Sequence, residues 1–158
     1  MNPADEGRTF LGRLAEDLSD LVASQSQVLF SAREIAIPVR SVSLMVALDR
    51  LQPATATDLA DALEKSHQLV SQKLPKLLQL GLVERIECPT DRRRKLYSLT
   101  EAGCVNLERF ADLQPALERA YTELAAEVGD IHALLRKTAR ALETVSLAER
   151  IGAAANGA

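Results

Sequence analysis

Apolar residues near the start of the chain recur at the spacing of an amphipathic helix and predict a first helix over residues 8–30. Their stripe is heptad-like and consists of Leu11, Leu14, Leu18, Leu21 and Val28. Gln25 occupies an otherwise apolar position, where one polar residue can set the register of paired helices. The pattern favours pairing with a partner helix, and ordinary packing inside one subunit is the alternative.

A second amphipathic pattern lies near the other end of the chain, within residues 116–150. Its apolar side consists of Ile131, Leu134, Leu135, Leu142 and Val145. Two such stripes at the two ends of a small domain would meet in a homodimer, so residues 8–30 and 116–150 are the predicted dimerisation helices. Residues 151–158 lack periodicity and are predicted to form a flexible tail.

The middle of the chain carries two short helical patterns joined by a tight turn. After a helix over residues 39–48, Thr57 is predicted to cap a helix that begins at Asp58. Ser66 is predicted to cap the next helix, and Gly81 to end it. Two short helices in this arrangement form a helix-turn-helix.

The second helix of this motif is predicted to have one apolar and one polar side. The apolar side consists of Val70, Leu74, Leu77 and Leu78, and the polar side of Gln68, Ser71, Gln72, Lys76 and Gln79. Pro75 lies inside the helix near its exposed side, where the missing amide hydrogen and the ring predict a kink.

Two β-rich runs over residues 82–86 and 95–99 follow, and they predict a hairpin with a basic tip. Thr100 is predicted to cap a further helix that runs to about Leu113, and Pro115 to bend or restart it.

A helix-turn-helix followed by a charged hairpin is a winged helix. The predicted fold class is therefore mainly α with a small β-hairpin wing. The winged-helix lobe is assigned to residues 53–103 within a single domain over residues 1–158.

Composition supports a helical protein and excludes several classes. Leu (26) and Ala (24) are abundant, whereas only five residues are aromatic, which disfavours an all-β fold. Two cysteines without a CxxC spacing and two histidines offer no metal cluster, so neither a metal nor another cofactor is predicted. No apolar run approaches the roughly 18 residues of a membrane span, and a cytoplasmic location without membrane contact is predicted. The chain has no phosphate-binding loop or nucleophile motif, so an enzyme is not predicted.

Charge is distributed unevenly along the chain. The net charge is −3, but residues 64–95 carry +4 and the remainder carries −7. A basic segment in an otherwise acidic protein is typical of one face that meets a polyanion. A solvated charged surface is the alternative.

This constellation predicts a double-stranded DNA operator as the partner. The second helix of the motif would enter the major groove, and the arginines of the wing would reach the neighbouring minor groove. The residues predicted to contact DNA are Thr57, Ser66, His67, Gln68, Ser71, Gln72, Lys73, Lys76, Arg92, Arg93 and Arg94.

Two motifs carry a resemblance to a known family. The sequences GLVER at residues 81–85 and DRRRKLYSLTEAG at residues 91–103 resemble the MarR family of bacterial transcriptional regulators. The resemblance implies a dimer with intertwined terminal helices that binds a pseudo-palindromic operator, often as a repressor. It also implies that Arg93 lies in the minor groove with Asp91 orienting it. A salt bridge that only shapes the hairpin is the alternative for this pair.

Some further roles are open at this point. Members of the family often respond to small aromatic or phenolic effectors, for which Phe30, Met45 and Phe110 are the candidate residues and core packing is the alternative. Cys88 near the wing suggests a redox switch, although a single exposed thiol is often inert. Pro75 motivates a competing interpretation, in which the lobe is a protein-interaction module without specific DNA binding.

Overall fold

The computed structural model of the protein describes residues 7–87 and 94–156. Its elements are α1 (Leu11–Ala32), α2 (Val42–Leu51), α3 (Ala56–Leu63), α4 (His67–Gln79), β1 (Val83–Glu87), β2 (Lys95–Leu99), α5 (Glu101–Val128), α6 (Ile131–Thr144) and α7 (Leu147–Asn156). Short 3-10 turns precede α1 and α2. The chain divides into two compact units, residues 1–112 and residues 113–158. No helix within the described ranges is long and apolar enough to cross a membrane.

The core of the first unit lies where α2, α3 and α4 pack around the base of the hairpin. Its largest fully buried side chains include Ile37, Leu44, Met45, Leu48, Leu59, Leu74, Leu77 and Leu82. Ile37 and Leu82 lie in connections, and the other six come from the apolar sides of amphipathic helices, which can leave water without stranding polar groups. The predicted mainly helical winged fold is confirmed.

Left-handed residues end three of the helices of this unit. Glu34 after α1 and Glu64 after α3 have a φ of 52°, and Gly81 after α4 has a φ of 67°. A left-handed residue lets the chain turn back and satisfies the last carbonyls of the helix. After Glu34, for example, the amide of Ile35 bonds to the Phe30 carbonyl at 2.9 Å, and Ile35 enters the core.

The hairpin pairs β1 with β2 in antiparallel register, with Val83 opposite Leu99 and Glu87 opposite Lys95. Ala54 adds a single bridge on the other side of β2, where its amide and carbonyl bond to Tyr97 at 3.0 and 2.8 Å. This bridge joins the entry to α3 to the base of the wing.

Several predicted boundaries differ from those observed. Thr55 rather than Thr57 caps α3, which begins at Ala56, because Thr55 and Asp58 form a reciprocal capping box. Helix α4 continues through Pro75, and α5 continues through Pro115 without restarting. Both prolines are exposed, so water can bond the carbonyl that each ring leaves without a helical partner.

The second unit is helical to the end of the described chain. Gly129, with a φ of 90°, makes the turn after α5, and Asp130 caps α6 by accepting a bond from the Ala133 amide at 2.8 Å. The guanidinium of Arg150 returns from α7 to the Ala141 carbonyl at 2.7 Å. Helix therefore extends through Asn156, into the segment predicted to be a flexible tail.

Candidate nucleic-acid interface

Helices α3 and α4 form the helix-turn-helix. Glu64 ends α3 in the left-handed region, and the Lys65 amide bonds back to the Ala60 carbonyl at 3.0 Å. Ser66 then caps α4, as predicted, by accepting a bond from the Leu69 amide at 3.2 Å. Because both ends of the turn are hydrogen-bonded, α4 begins at a defined point and in a defined direction.

Helix α4 presents one side to the core and the other to solvent. Val70, Leu74 and Leu77 are buried. The exposed residues are His67, Gln68, Leu69, Gln72, Pro75, Lys76 and Gln79. The structure thus brings most of the predicted groove-facing residues onto one exposed surface, which we call the α4 face.

His67 and Ser71 lie together at the edge of this face. The Ser71 hydroxyl is 3.3 Å from Nδ1 of His67, one turn earlier on the helix. A hydroxyl and an imidazole in this position can bond to phosphate or base edges. Ser66 and Thr57 are exposed as well, but the Ser66 side chain already caps α4.

Lys73 differs from the other predicted contacts, because its ammonium is directed toward the protein. It donates to the main-chain carbonyl of Arg40, whose own guanidinium pairs with Asp20 on α1. Partial burial lowers the pKa of Lys73 from its ordinary value, and the charges of Arg40 and Lys65 lower it further. Lys73 thus connects α4 to the turn that precedes α2.

A cleft of about 640 Å³ lies between the start of α3, one side of α4 and the hairpin. The residues that line it include His67, Ser71, Arg85, Arg94, Lys95 and Tyr97. Two arginines and a lysine beside imidazole and hydroxyl groups suit an anionic partner.

Asp58 is an acidic group on the rim of this cleft. Its carboxylate accepts from the Thr55 hydroxyl at 2.7 Å and from the Thr55 amide at 2.8 Å. These two bonds hold the pKa of Asp58 below its ordinary value, and the charge of Arg94 adds to the effect. The carboxylate therefore belongs to the helix cap and leaves the cationic groups of the cleft available.

Part of the predicted wing surface lies outside the described residues. Asp91, Arg92 and Arg93 fall there, and so does Cys88. Arg94 is described, is exposed and immediately precedes β2.

Sequence reasoning did not assign Arg85, Lys95 or Leu69 to the site. Arg85 lies in the middle of β1 and Lys95 at the loop end of β2. Both line the cleft, and the alternation of their strands was the signal that could have placed them there. Leu69 is 39% exposed on α4, although its residue type alone suggests burial.

The candidate effector residues are packed in the first unit. Phe30 and Met45 are buried, and the rings of Phe30 and Phe110 meet edge to face with centroids 5.8 Å apart. This arrangement is that of core packing, and the effector role of these residues stays a prediction.

The fold and the geometry of α3, α4 and the hairpin define a winged helix-turn-helix protein. Residues 37–94 match the model of the MarR family. The resemblance predicted from the sequence is confirmed.

Several solved structures share the fold. The repressor CouR, bound to a 23-mer DNA duplex, has 23% identity and a TM-score of 0.67 over 89% of this chain and 97% of its own. MepR of S. aureus, in a DNA complex, has 23% identity and a TM-score of 0.63 over 87% of this chain and 100% of its own. PcaV of Streptomyces coelicolor, with its natural ligand, has 19% identity and a TM-score of 0.63 over 89% of this chain and 96% of its own. No curated protein sequence matches the chain.

Proposed function

We propose that the protein is a homodimeric transcriptional regulator that binds a pseudo-palindromic operator in double-stranded DNA. Helix α4 enters the major groove, and the wing, including Arg93 and Arg94, enters the minor groove. In this arrangement the polar α4 face reads base edges, while the cations of the hairpin that line the cleft neutralise phosphates.

The observation that carries this proposal is the α4 face beside the cationic cleft. Helix α4 is capped by Ser66, buries its apolar side and exposes three glutamine side chains. Arg85, Arg94 and Lys95 line the adjoining cleft. A base-reading helix next to a phosphate-neutralising surface is what sequence-specific DNA binding requires.

The comparisons support the same function. The family match covers the end of the α1–α2 connection, the helix-turn-helix and the first part of the wing. CouR and MepR, which share the fold, are seen with DNA. PcaV is seen with a ligand, and for the present chain a small aromatic or phenolic effector that releases DNA stays a prediction.

The dimer is proposed from two exposed apolar stripes. Leu11, Leu14, Leu18, Leu21 and Val28 of α1 are all exposed, and so are Leu134, Leu135 and Leu142 of α6. Stripes of this kind on terminal helices are covered when two copies of a chain pair.

The test is fluorescence-anisotropy binding to the protein's own upstream DNA and to a scrambled duplex. Across about 50 to 200 mM salt, affinity for the upstream duplex should exceed affinity for the scrambled one. It should also fall as the salt concentration rises, because the release of counterions from DNA on binding then becomes less favourable. Equal, weak binding to both duplexes would place the operator elsewhere. Absence of salt-dependent binding to any duplex would overturn the proposal in favour of a protein-interaction module.

Replacing Arg93 with Ala tests the minor-groove contact. We expect a loss of about 1 to 3 kcal/mol of DNA binding, because a guanidinium in the narrow groove meets a focused negative potential. Arg136→Ala on α6 removes the same charge outside the lobe and should leave affinity nearly unchanged. Equal affinities of the two variants would contradict the role of Arg93.

A further inference from the structure

The α4 face contains one line of side chains that runs along its centre. Gln68, Gln72, Pro75 and Gln79 follow one another at intervals of four, three and four residues, and all four are exposed. In an α-helix this spacing places them on a single stripe, with successive members about 4.5 to 6 Å apart along the axis. No charged residue belongs to this line.

The cationic residues of α4 lie away from this line or are already bonded. Helix α4 contains no arginine. Lys73 donates to the Arg40 carbonyl, and Lys76, at the side of the line, is 3.4 Å from Oε1 of Gln79. Guanine is usually read by arginine or lysine at O6 and N7, so the centre of this face lacks the groups that recognise a G·C pair.

Glutamine side chains suit a different base. The amide donates and accepts in one plane, which matches the N7 acceptor and the N6 donor of adenine in the major groove. Gln68 and Gln72 lie in the first two turns of α4, beyond the turn that Ser66 fixes. They therefore lie near the N-terminal end of α4, where the Ser66 cap fixes the start and the direction of the helix.

Pro75 gives the same line an apolar contact. Its ring is exposed between Gln72 and Gln79, and helix α4 continues through it. The ring costs α4 a main-chain hydrogen bond without filling the core. An exposed saturated ring in a groove-facing position can pack against the C5 methyl of thymine, which is the one apolar group on the major-groove edge.

We propose that the line Gln68–Gln72–Pro75 selects A·T base pairs, with the two glutamines bonding to adenine edges and Pro75 packing against a thymine methyl. This inference rests on the proposed function and adds the class of base pair that α4 recognises. It makes Pro75 a specificity residue, whereas the competing interpretation treats it as a sign of a protein-interaction module without specific DNA binding.

The experiment begins with selection of bound sequences from a pool of duplexes randomised over 26 base pairs. The wild-type protein should enrich two half-sites that contain A·T pairs at the positions facing α4. In the selected duplex, 7-deazaadenine then removes the N7 acceptor, and deoxyuridine in place of thymidine removes the methyl group. Each change should weaken wild-type binding, and 7-deazaadenine at a glutamine contact should weaken it roughly 5- to 150-fold.

The variants assign each effect to a residue. Gln72→Ala, and separately Gln68→Ala, should become insensitive to 7-deazaadenine at one position, and Pro75→Ala should become insensitive to deoxyuridine. Gln114→Ala removes an exposed glutamine on α5 and should keep the full wild-type pattern. Thermal melting of every variant shows that the fold is retained, and Pro75→Ala is expected to be at least as stable as the wild type because it restores a helical hydrogen bond.

Three results would be decisive. The inference is supported if each glutamine variant loses its sensitivity to 7-deazaadenine, Pro75→Ala loses its sensitivity to deoxyuridine, and Gln114→Ala keeps both. Half-sites with G·C pairs opposite α4, or analogue effects that persist in Gln68→Ala, Gln72→Ala and Pro75→Ala, would overturn it while leaving sequence-specific DNA binding intact. A pool from which nothing is enriched, together with no duplex binding, would overturn the proposed function itself.

Discussion

Gly103 shows how a single hydrogen atom can decide the packing of the lobe. It lies in the first turn of α5, where an added Cβ would be 2.1 Å from the Leu82 carbonyl oxygen. The same carbonyl accepts a bond from the Thr100 amide at 3.2 Å, so it cannot move away freely. The close approach explains why the threonine cap is followed three residues later by glycine.

We expect Gly103→Ala to destabilise the protein by about 1 to 3 kcal/mol, as overpacking of a fixed backbone contact does. Gly12→Ala is the matched control, because nothing lies within 4 Å of its added Cβ in α1. That change should stabilise by roughly 0.5 to 1 kcal/mol through helix propensity. Urea unfolding at one fixed protein concentration measures both, and equal midpoints for the two variants would contradict the contact.

Lys73 and Lys76 are expected to behave differently although they share a helix. Lys76→Met should reduce the slope of log affinity against log salt by about two for the proposed dimer, one for each subunit, because the exposed ammonium on each α4 can release a phosphate counterion. Lys73→Met should leave that slope unchanged and instead lower the melting temperature, since the Lys73 ammonium bonds to Arg40. A reduced slope in Lys73→Met would show that this ammonium reaches the DNA.

The start of α3 illustrates what sequence reasoning can and cannot resolve at the scale of an element. The existence of the helix followed from its apolar spacing, but its first residue depended on which threonine had an acidic residue three positions later. Thr55 does, because Asp58 closes the capping box. Thr57 lies two residues into the helix instead of capping it.

This capping box makes stability depend on pH. The folded pKa of Asp58 lies below its ordinary value of 3.8, so the contribution is complete above that value and is lost as pH falls through the folded pKa. We expect Thr55→Ala to cost roughly 1 kcal/mol at neutral pH. Asp58→Ala should also destabilise at neutral pH, and its difference from wild type should shrink with acid.

Asp61→Ala is the control for this prediction, because Asp61 is an exposed carboxylate of the same helix outside the capping box. Urea unfolding between neutral and acidic pH provides the measurement. A constant difference between Asp58→Ala and wild type across that range would show that the carboxylate charge does not support the cap.

The prolines and the C-terminal helix show where helix boundaries differ from the sequence patterns. Pro75 predicted a kink and Pro115 a bend or a restart, and both helices continue through their prolines, because each proline is exposed and its fixed φ fits a helix. Residues 147–150 of α7 fall in the predicted helical region, but its continuation through Asn156 was not predicted. Its signal was local, in the pairing of Ser146 with Glu149, whose carboxylate accepts from the Ser146 amide and hydroxyl at 2.8 Å.

At the scale of the whole molecule, much of the candidate site was predictable and part was not. The helix-turn-helix, the hairpin and most of the α4 face follow from periodicity and caps. The inward direction of Lys73 and the placement of Arg85 in the cleft depend on contacts between distant segments, which spacing along the chain does not reveal.

The proposed dimer makes the clearest prediction for the whole molecule. Leu18→Glu combined with Leu21→Glu places charges on the exposed stripe of α1, and we expect dissociation measured by sedimentation velocity. Leu51→Glu, an exposed leucine at the end of α2, is the control and should leave the dimer intact. A double variant that sediments like the wild type would exclude α1 from the interface.

Helix α6 buries none of its residues within its own chain. If the apolar stripes of two copies cover each other, the terminal helices become stable only when a subunit has met a second one. A newly made subunit without a partner would then expose uncovered helices to cellular proteases. The amount of regulator in the cell would be limited by the rate at which subunits find each other, in addition to the rate at which they are made.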